Sequence, residues 1–158
     1  MNVKLISCLS DNYSYCIVDP NTNKTCIVDP AEFKAIDNHI SKNKLSIDFI
    51  LNTHHHSDHV DGNLKLKKKY NCKIVGFKED KKKIPGIDIL LNNNETWMFG
   101  NEKVNIQHVP GHTLGHIFFY FSKSKLAFVG DTLFSLGCGR IFEGTYEDMF
   151  DSVNKIKN

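Results

Sequence analysis

Thr53-His54-His55-His56-Ser57-Asp58-His59-Val60-Asp61-Gly62-Asn63 is the stretch on which the reading of this chain turns. Four side chains of metal-binding type, His54, His56, Asp58 and His59, fall within six positions. They directly follow Ile47-Asp48-Phe49-Ile50-Leu51, whose apolar character predicts a buried strand. Imidazole and carboxylate together suit zinc, iron or manganese. Residues two apart at a strand end point to one side of the chain, so His54 and His56 can meet on one ion while His55 alternates away. Asp58 and His59 lie past the turn and are placed for a second ion beside the first. A solvated polar loop accounts for one histidine far better than for four ligand-type residues at this spacing.

Working outward, residues 3–6 and 13–18 read as strands separated by the turn formers Ser10-Asp11-Asn12. Ile-Val-Asp-Pro occurs twice, ending at Pro20 and at Pro30. The duplication is too short for a solenoid repeat and fits two strands of a hairpin. Asp29 predicts a helix N-cap, with Pro30 at the first helical position and Glu32 three residues on. The helix would cover residues 31–42 and lay Phe33, Ile36 and Ile40 on a sheet. Downstream, residues 64–70 predict a helix and 73–77 a strand. Breakers at Pro85-Gly86 and Asn92-Asn93-Asn94 bracket one short apolar run at 87–91. Short strands follow at 97–99, 103–109, 117–121 and 125–129, then a helix over 145–157. Strand-rich halves with helices outside imply an α/β (α+β) chain of two stacked sheets, covered by helices on both outer faces.

At 158 residues and 41% hydrophobic, the chain can bury one sizeable core, so residues 1–158 are expected to form one domain. Lys and Arg total 20 against 18 Asp and Glu, and a net charge of +2 gives no reason to expect nucleic acid or an acidic membrane as partner. The lysine runs at 65–69 and 81–83 read as solvated faces. Asp11 and Asn12 interrupt the early apolar run, so neither a signal peptide nor a membrane span is expected, and the expected location is cytoplasmic. The five cysteines are scattered and contain no Cys-x-x-Cys pair, which predicts reduced thiols rather than disulfides or a thiolate zinc site.

Three later segments can return to the metal. Pro110-Gly111-His112-Thr113-Leu114-Gly115-His116 lies between two strands and offers His112 as a third ligand for the first ion. His116, His108 and His39 read as core or supporting groups. Phe128-Val129-Gly130-Asp131 is an apolar strand ending in a carboxylate. One Asp can bridge two cations and hold them roughly 3.5 to 4 Å apart, as two-metal hydrolysis requires. Gly137-Cys138-Gly139-Arg140-Ile141-Phe142-Glu143-Gly144 surrounds the single arginine of a lysine-rich chain with glycines. The planar fork of Arg140 suits a carboxylate.

These residues carry a resemblance. Through His54-x-His56-x-Asp58-His59, His112 and Asp131 the chain resembles the metallo-β-lactamase superfamily. Through Asp11-Asn12-Tyr13, Thr53-His54-His55-His56, the 110–116 loop and the segments 130–134 and 137–144 it is most similar to glyoxalase II, the hydroxyacylglutathione hydrolases. The resemblance implies a four-layer αββα fold, with His54, His56 and His112 on the first metal, Asp58 and His59 on the second, and Asp131 between them. The cofactors implied are two divalent ions, zinc first, with iron or manganese as alternatives. Arg140 and Phe142 would fall where the family touches glutathione, and Phe142 lacks the hydroxyl of the tyrosine that some members have there. Family members continue past the counterpart of Asn158 into a strand bearing a further histidine and then a helical domain. This chain is therefore expected to lack the last strand and that domain, and residues 131–158 contain no histidine. Its second site would be one ligand short.

The activity implied is hydrolysis of S-D-lactoylglutathione to glutathione and D-lactate, the thioester step of methylglyoxal detoxification, impaired to the extent that the missing segment matters. A water held between two divalent ions loses its proton near neutral pH, and the metal-bound hydroxide attacks the thioester carbonyl. Asp58 and Asp131 are the expected catalytic residues, and Asp58 would also orient the attacking oxygen. Two alternatives are a mononuclear iron persulfide dioxygenase, which needs counterparts of His54, His112 and Asp131 alone, and a catalytically weak metal-binding fragment. Loss of an edge strand predicts self-association through the exposed sheet edge.

Overall fold

In the computed structural model, which describes residues 1–157, the apolar alternation of the N-terminal half builds a sheet buried on both faces. Its strands β1 (Asn2–Cys8), β2 (Asn12–Val18), β3 (Thr25–Val28), β4 (Phe49–Leu51), β5 (Lys73–Phe77) and β6 (Ile89–Leu91) lie in that spatial order. β1 to β3 form an antiparallel meander, and the duplicated Ile-Val-Asp-Pro runs end its last two strands, as the sequence predicts. From β3 to β6 the pairing is parallel. Parallel neighbours need crossovers, and α1 (Phe33–Lys42), the one-turn α2 (Ser57–Val60) and α3 (Asn63–Tyr70) lie in those connections. Ile17, Val28, Leu51 and Val75 face the second sheet. Their chain neighbours Cys16, Ile27, Ile50 and Ile74 pack against Ile36 and Ile40 of α1 and Leu66 of α3.

The second sheet is antiparallel, in the order β10 (Leu126–Phe128), β9 (Ile117–Phe121), β8 (Glu102–His108), β7 (Thr96–Phe99). Phe99, Val104, Ile106, Phe119 and Phe121 interdigitate with the first sheet. The rings of Phe99 and Phe121 meet edge-on at 6.0 Å, a geometry that adds to simple burial. α4 (Tyr146–Lys157) closes the far side: Ser152 Oγ donates to the Pro110 carbonyl at 2.7 Å, and buried Met149 lies against Gly111. The result is the four-layer arrangement of helices, sheet, sheet and helix expected from the sequence.

The two sheets are stitched at one end. Thr53, just past β4, accepts the Ile117 amide of β9 at 2.9 Å, so the histidine turn and the 110–116 loop are held side by side. One expectation fails here. α1 begins two residues later than predicted, with Glu32 rather than Asp29 at the cap and no side-chain bond there. Asp29 adopts φ +48° instead, and its carboxylate points inward to the Thr53 amide and hydroxyl.

Candidate metal centre

His54, His56 and His112 lie together, each offering one ring nitrogen within 4.8 Å of the others. Two of these rings have their tautomers set by their surroundings. The Thr53 hydroxyl donates to Asp29 Oδ2 at 2.7 Å, so the same oxygen accepts from His54 Nδ1 at 3.1 Å. That leaves His54 Nε2 as a lone pair, fully buried and without any hydrogen-bond partner among the described residues. His112 Nδ1 donates to the Arg140 carbonyl at 2.6 Å, which leaves its Nε2 unprotonated, 2.9 Å from His56 Nδ1. Burial, and then the neighbouring rings, hold the His54 imidazole well below the usual histidine range. His56 is lowered for the same reasons. Rings kept neutral by burial, as His54 and His56 are, with a third ring nitrogen this close, suit a divalent cation, which needs deprotonated ligands.

A second group shares His54 and adds His59 and Asp131. Asp131 divides its oxygens: Oδ1 lies 3.2 Å from His59 Nε2 and Oδ2 lies 3.4 Å from His112 Nε2. Both His59 nitrogens sit 3.2 Å from a carboxylate oxygen, of Asp29 and of Asp131, as ion-pair contacts rather than hydrogen bonds. Burial opposes a charge on this ring, but the two carboxylates prevail and raise it to about 10. Asp131 is lowered in turn: its burial works the other way, and His59 outweighs it. Asp58 stands at the rim rather than within either tight group, its Oδ2 3.6 Å from His59 Nε2 and its carboxylate 44% exposed. The buried nitrogens left without partners on His54 and His59, with a carboxylate between the rings, fit a pair of divalent ions. His54, His56 and His112 would hold one, and His59, Asp58 and Asp131 the other.

Of the supporting residues, His116 is expected from the sequence as a core or supporting group, whereas the roles of Asp29 and Asn12 are not. Asp29 serves His54 through Thr53 and also faces His59, so one buried carboxylate reaches both groups. Asn12 fixes Asp58, its Nδ2 donating to Oδ2 at 2.9 Å. His116 accepts the Asp131 amide on Nε2 at 3.1 Å and meets Thr132 Oγ1 through Nδ1 at 3.3 Å, while stacking on His54 at 4.7 Å. Its complete burial pushes it down to about 3, so it stays neutral and keeps that acceptor available. Gly130, at φ +49°, brings Asp131 this close: a Cβ there would strike the Thr53 hydroxyl and the His116 ring. For Asn12 and Asp29 the sequence offers only a weak signal, the turn formers at 10–12 and the Ile-Val-Asp-Pro run.

Arg140 and Phe142 border the first group. The Arg140 guanidinium is exposed and forms no ion pair among the described residues, while its carbonyl holds His112. The Phe142 ring, 63% exposed, stands edge-on to His56 and His112 at 5.3 Å from each. On the other side a cavity of about 780 Å³ opens onto Asp58, His59 and Asp131, walled by Tyr13, Tyr15 and Phe128. Cys138 is exposed, whereas Cys16 and Cys72 are buried and their thiols are pushed up to about 11.

Residues 10–158 match the profile of the family described as Metallo-beta-lactamase superfamily. The chain is 52% identical over 157 residues to the hydroxyacylglutathione hydrolase of Pelagibacter ubique (strain HTCC1062), covering 99% of this chain and 66% of that protein. It is 43% identical over 156 residues to the protein of the same name from Brucella ovis, covering 99% of this chain and 61% of that one. It thus spans less than two thirds of the length of these curated relatives. Among solved structures, the BLEG-1 B3 metallo-beta-lactamase superposes with a TM-score of 0.88 at 21% identity, over 97% of this chain and 84% of that one. At that identity the likeness is one of fold.

Proposed function

Because the chain belongs to the metallo-beta-lactamase superfamily, we propose that its site hydrolyses the thioester of an S-(2-hydroxyacyl)glutathione, with S-D-lactoylglutathione giving glutathione and D-lactate. The substrate class is taken from the name shared by the curated relatives. The chemistry rests on one observation, the division of the Asp131 oxygens between His59 and His112. Such a carboxylate suits two cations rather than one, which favours hydrolysis over the iron persulfide dioxygenase alternative.

Two bound divalent ions, zinc in the first instance, would supply Lewis acidity, acidifying a water and polarising the thioester carbonyl. The side chains do the rest. His54, His56 and His112 would hold one ion, and Asp131 would tie the two halves. Asp58, fixed by Asn12 and open to the cavity, is the carboxylate placed to orient the attacking water and take its proton. The leaving group is a thiolate whose parent thiol ionises near about 8.5, so no strong general acid is needed. Arg140 offers its exposed fork to a glutathione carboxylate, and Phe142 forms an apolar wall beside the reacting end. No helix among the described residues is long and apolar enough to cross a membrane. The reading places the protein in the reducing cytoplasm, where its cysteines stay as free thiols, and β1 and β10, as edge strands, are where copies would associate.

The test is a thiol-release assay with S-D-lactoylglutathione on protein loaded with zinc, iron or manganese, beside chelated protein and Asp131→Ala. The reading expects release that depends on metal and vanishes in the variant. Equal rates with and without metal, or full activity in Asp131→Ala, would overturn it.

A further inference from the structure

His55 is the histidine of the opening motif that neither ligand group uses. Its ring turns away from them and lies between two carboxylates: Nδ1 is 2.9 Å from Asp80 Oδ2, and Nε2 is 3.5 Å from Glu143 Oε1. We infer that His55, Asp80 and Glu143 form a positioning clamp that fastens residues 137–144, with Arg140 and Phe142, to the histidine turn.

Asp80 follows β5 and its side chain is only 4% exposed, a placement that is costly for a carboxylate without a partner. The site is shaped around it. Gly115 packs so closely that a Cβ there would overlap the Asp80 carboxyl group. Glu143 gathers the other strands of the clamp. Its Oε2 accepts the Leu114 amide at 2.8 Å, and Lys83 Nζ reaches Oε1 at 3.0 Å. Main-chain bonds complete the attachment, from the Phe142 amide to the His112 carbonyl and from the Gly144 amide to the Gly111 carbonyl, both at 3.1 Å. Three loops widely separated in sequence are thereby locked together: the turn after β4, the 110–116 loop that carries His112, and the 137–144 segment. His55 is a positioning residue, since it gives no nitrogen to either ligand group and acts through Glu143 on where Arg140 and Phe142 stand. Its catalytic consequence rests on the function proposed above; its mechanical consequence does not.

Arg140 is the only arginine in the chain, so an arginine-specific protease reports the opening of this segment at a single bond. With cleavage tracking the open population, His55→Ala and Glu143→Ala are each expected to speed the cut after Arg140 by about tenfold. The double variant should be cut within about twofold of the faster single one, because both remove the same link. His55→Gln, whose amide can still donate to Asp80, should recover much of the resistance. Where His55→Ala does not fold, Glu143→Gln decides, with an expected acceleration of about threefold. In the thioester assay the same variants should raise KM by about tenfold and leave kcat within about threefold. Cleavage within twofold of the parent in the folded variants, or effects that multiply in the double variant, would overturn the clamp. Failure of the parent to hydrolyse the thioester would sink the proposed function while the cleavage rates still judged the clamp.

Discussion

His54 is wholly buried while the Asp58 carboxylate is 44% exposed, although only four positions separate them. The difference runs through the whole centre. On the His54 side burial keeps His54 and His56 neutral, Thr53 and the Arg140 carbonyl set the tautomers of His54 and His112, and Phe142 stands edge-on beside His56 and His112. On the Asp58 side two carboxylates and a ring held in its charged form face a cavity of about 780 Å³. Dry, preset lone pairs hold a cation firmly. A carboxylate-rich rim open to solvent binds less firmly and leaves room for water and substrate. On the proposed function, one half of the centre would retain an ion and the other would work with one.

The change that should break this division most completely is Asp131→Ala, which removes the group belonging to both halves. Hydrolysis should fall by more than about a hundredfold, beyond the range of an outer-shell change. Bound metal, measured by elemental analysis, should drop from two equivalents to one or fewer. Retention of both ions would show the halves to be independent. Asp29→Asn comes next. Because Asp29 serves His54 through Thr53 and also faces His59, affinity should weaken by about 10- to 100-fold on both sides, as seen by competition with a chromogenic chelator. Weakening on one side alone would contradict that shared support.

Metal-free protein separates the halves by pH. His59 is raised from 6.5 to about 10 by its carboxylates, against its burial, so its stabilisation is complete below pH 6.5 and is lost as the pH climbs through about 10. His116 is lowered by burial to about 3, so its contribution is present above pH 6.5 and is lost as the pH falls toward about 3. In denaturant titrations across pH, His59→Gln should flatten the alkaline limb and His116→Gln the acid limb. Unchanged limbs would refute these assignments. The smallest effect belongs to Cys138→Ser. The thiol is exposed and makes no hydrogen bond among the described residues, so activity and metal content should stay within about twofold.

The layers were legible because alternation at Cys16-Ile17, Cys26-Ile27-Val28 and Ile50-Leu51 reports which face each side chain takes in a sheet buried on both sides. The candidate ligands stood out as a group because His54, His56, Asp58 and His59 crowd into one turn. Asp29 was misread because Asp-Pro-x-Glu is also a helix-start signature, and the tertiary pull of Thr53, 24 residues away, outweighed it. α2 spans four residues, too few to show a helical period. The partners of His55 lie 25 and 88 positions away, and the cavity is walled by strands from opposite ends of the chain, so neither leaves a local mark.

The central claim is that three distant loops grip two cations of unequal affinity, and an anomalous difference map of crystals soaked in limiting and then excess zinc tests it most directly. At limiting zinc a single peak should lie within bonding distance, about 2.0–2.1 Å, of His54, His56 and His112 nitrogens. At excess zinc a second should appear beside His59, Asp58 and Asp131. A first ion bound away from His112, or two peaks of equal occupancy throughout, would contradict the account.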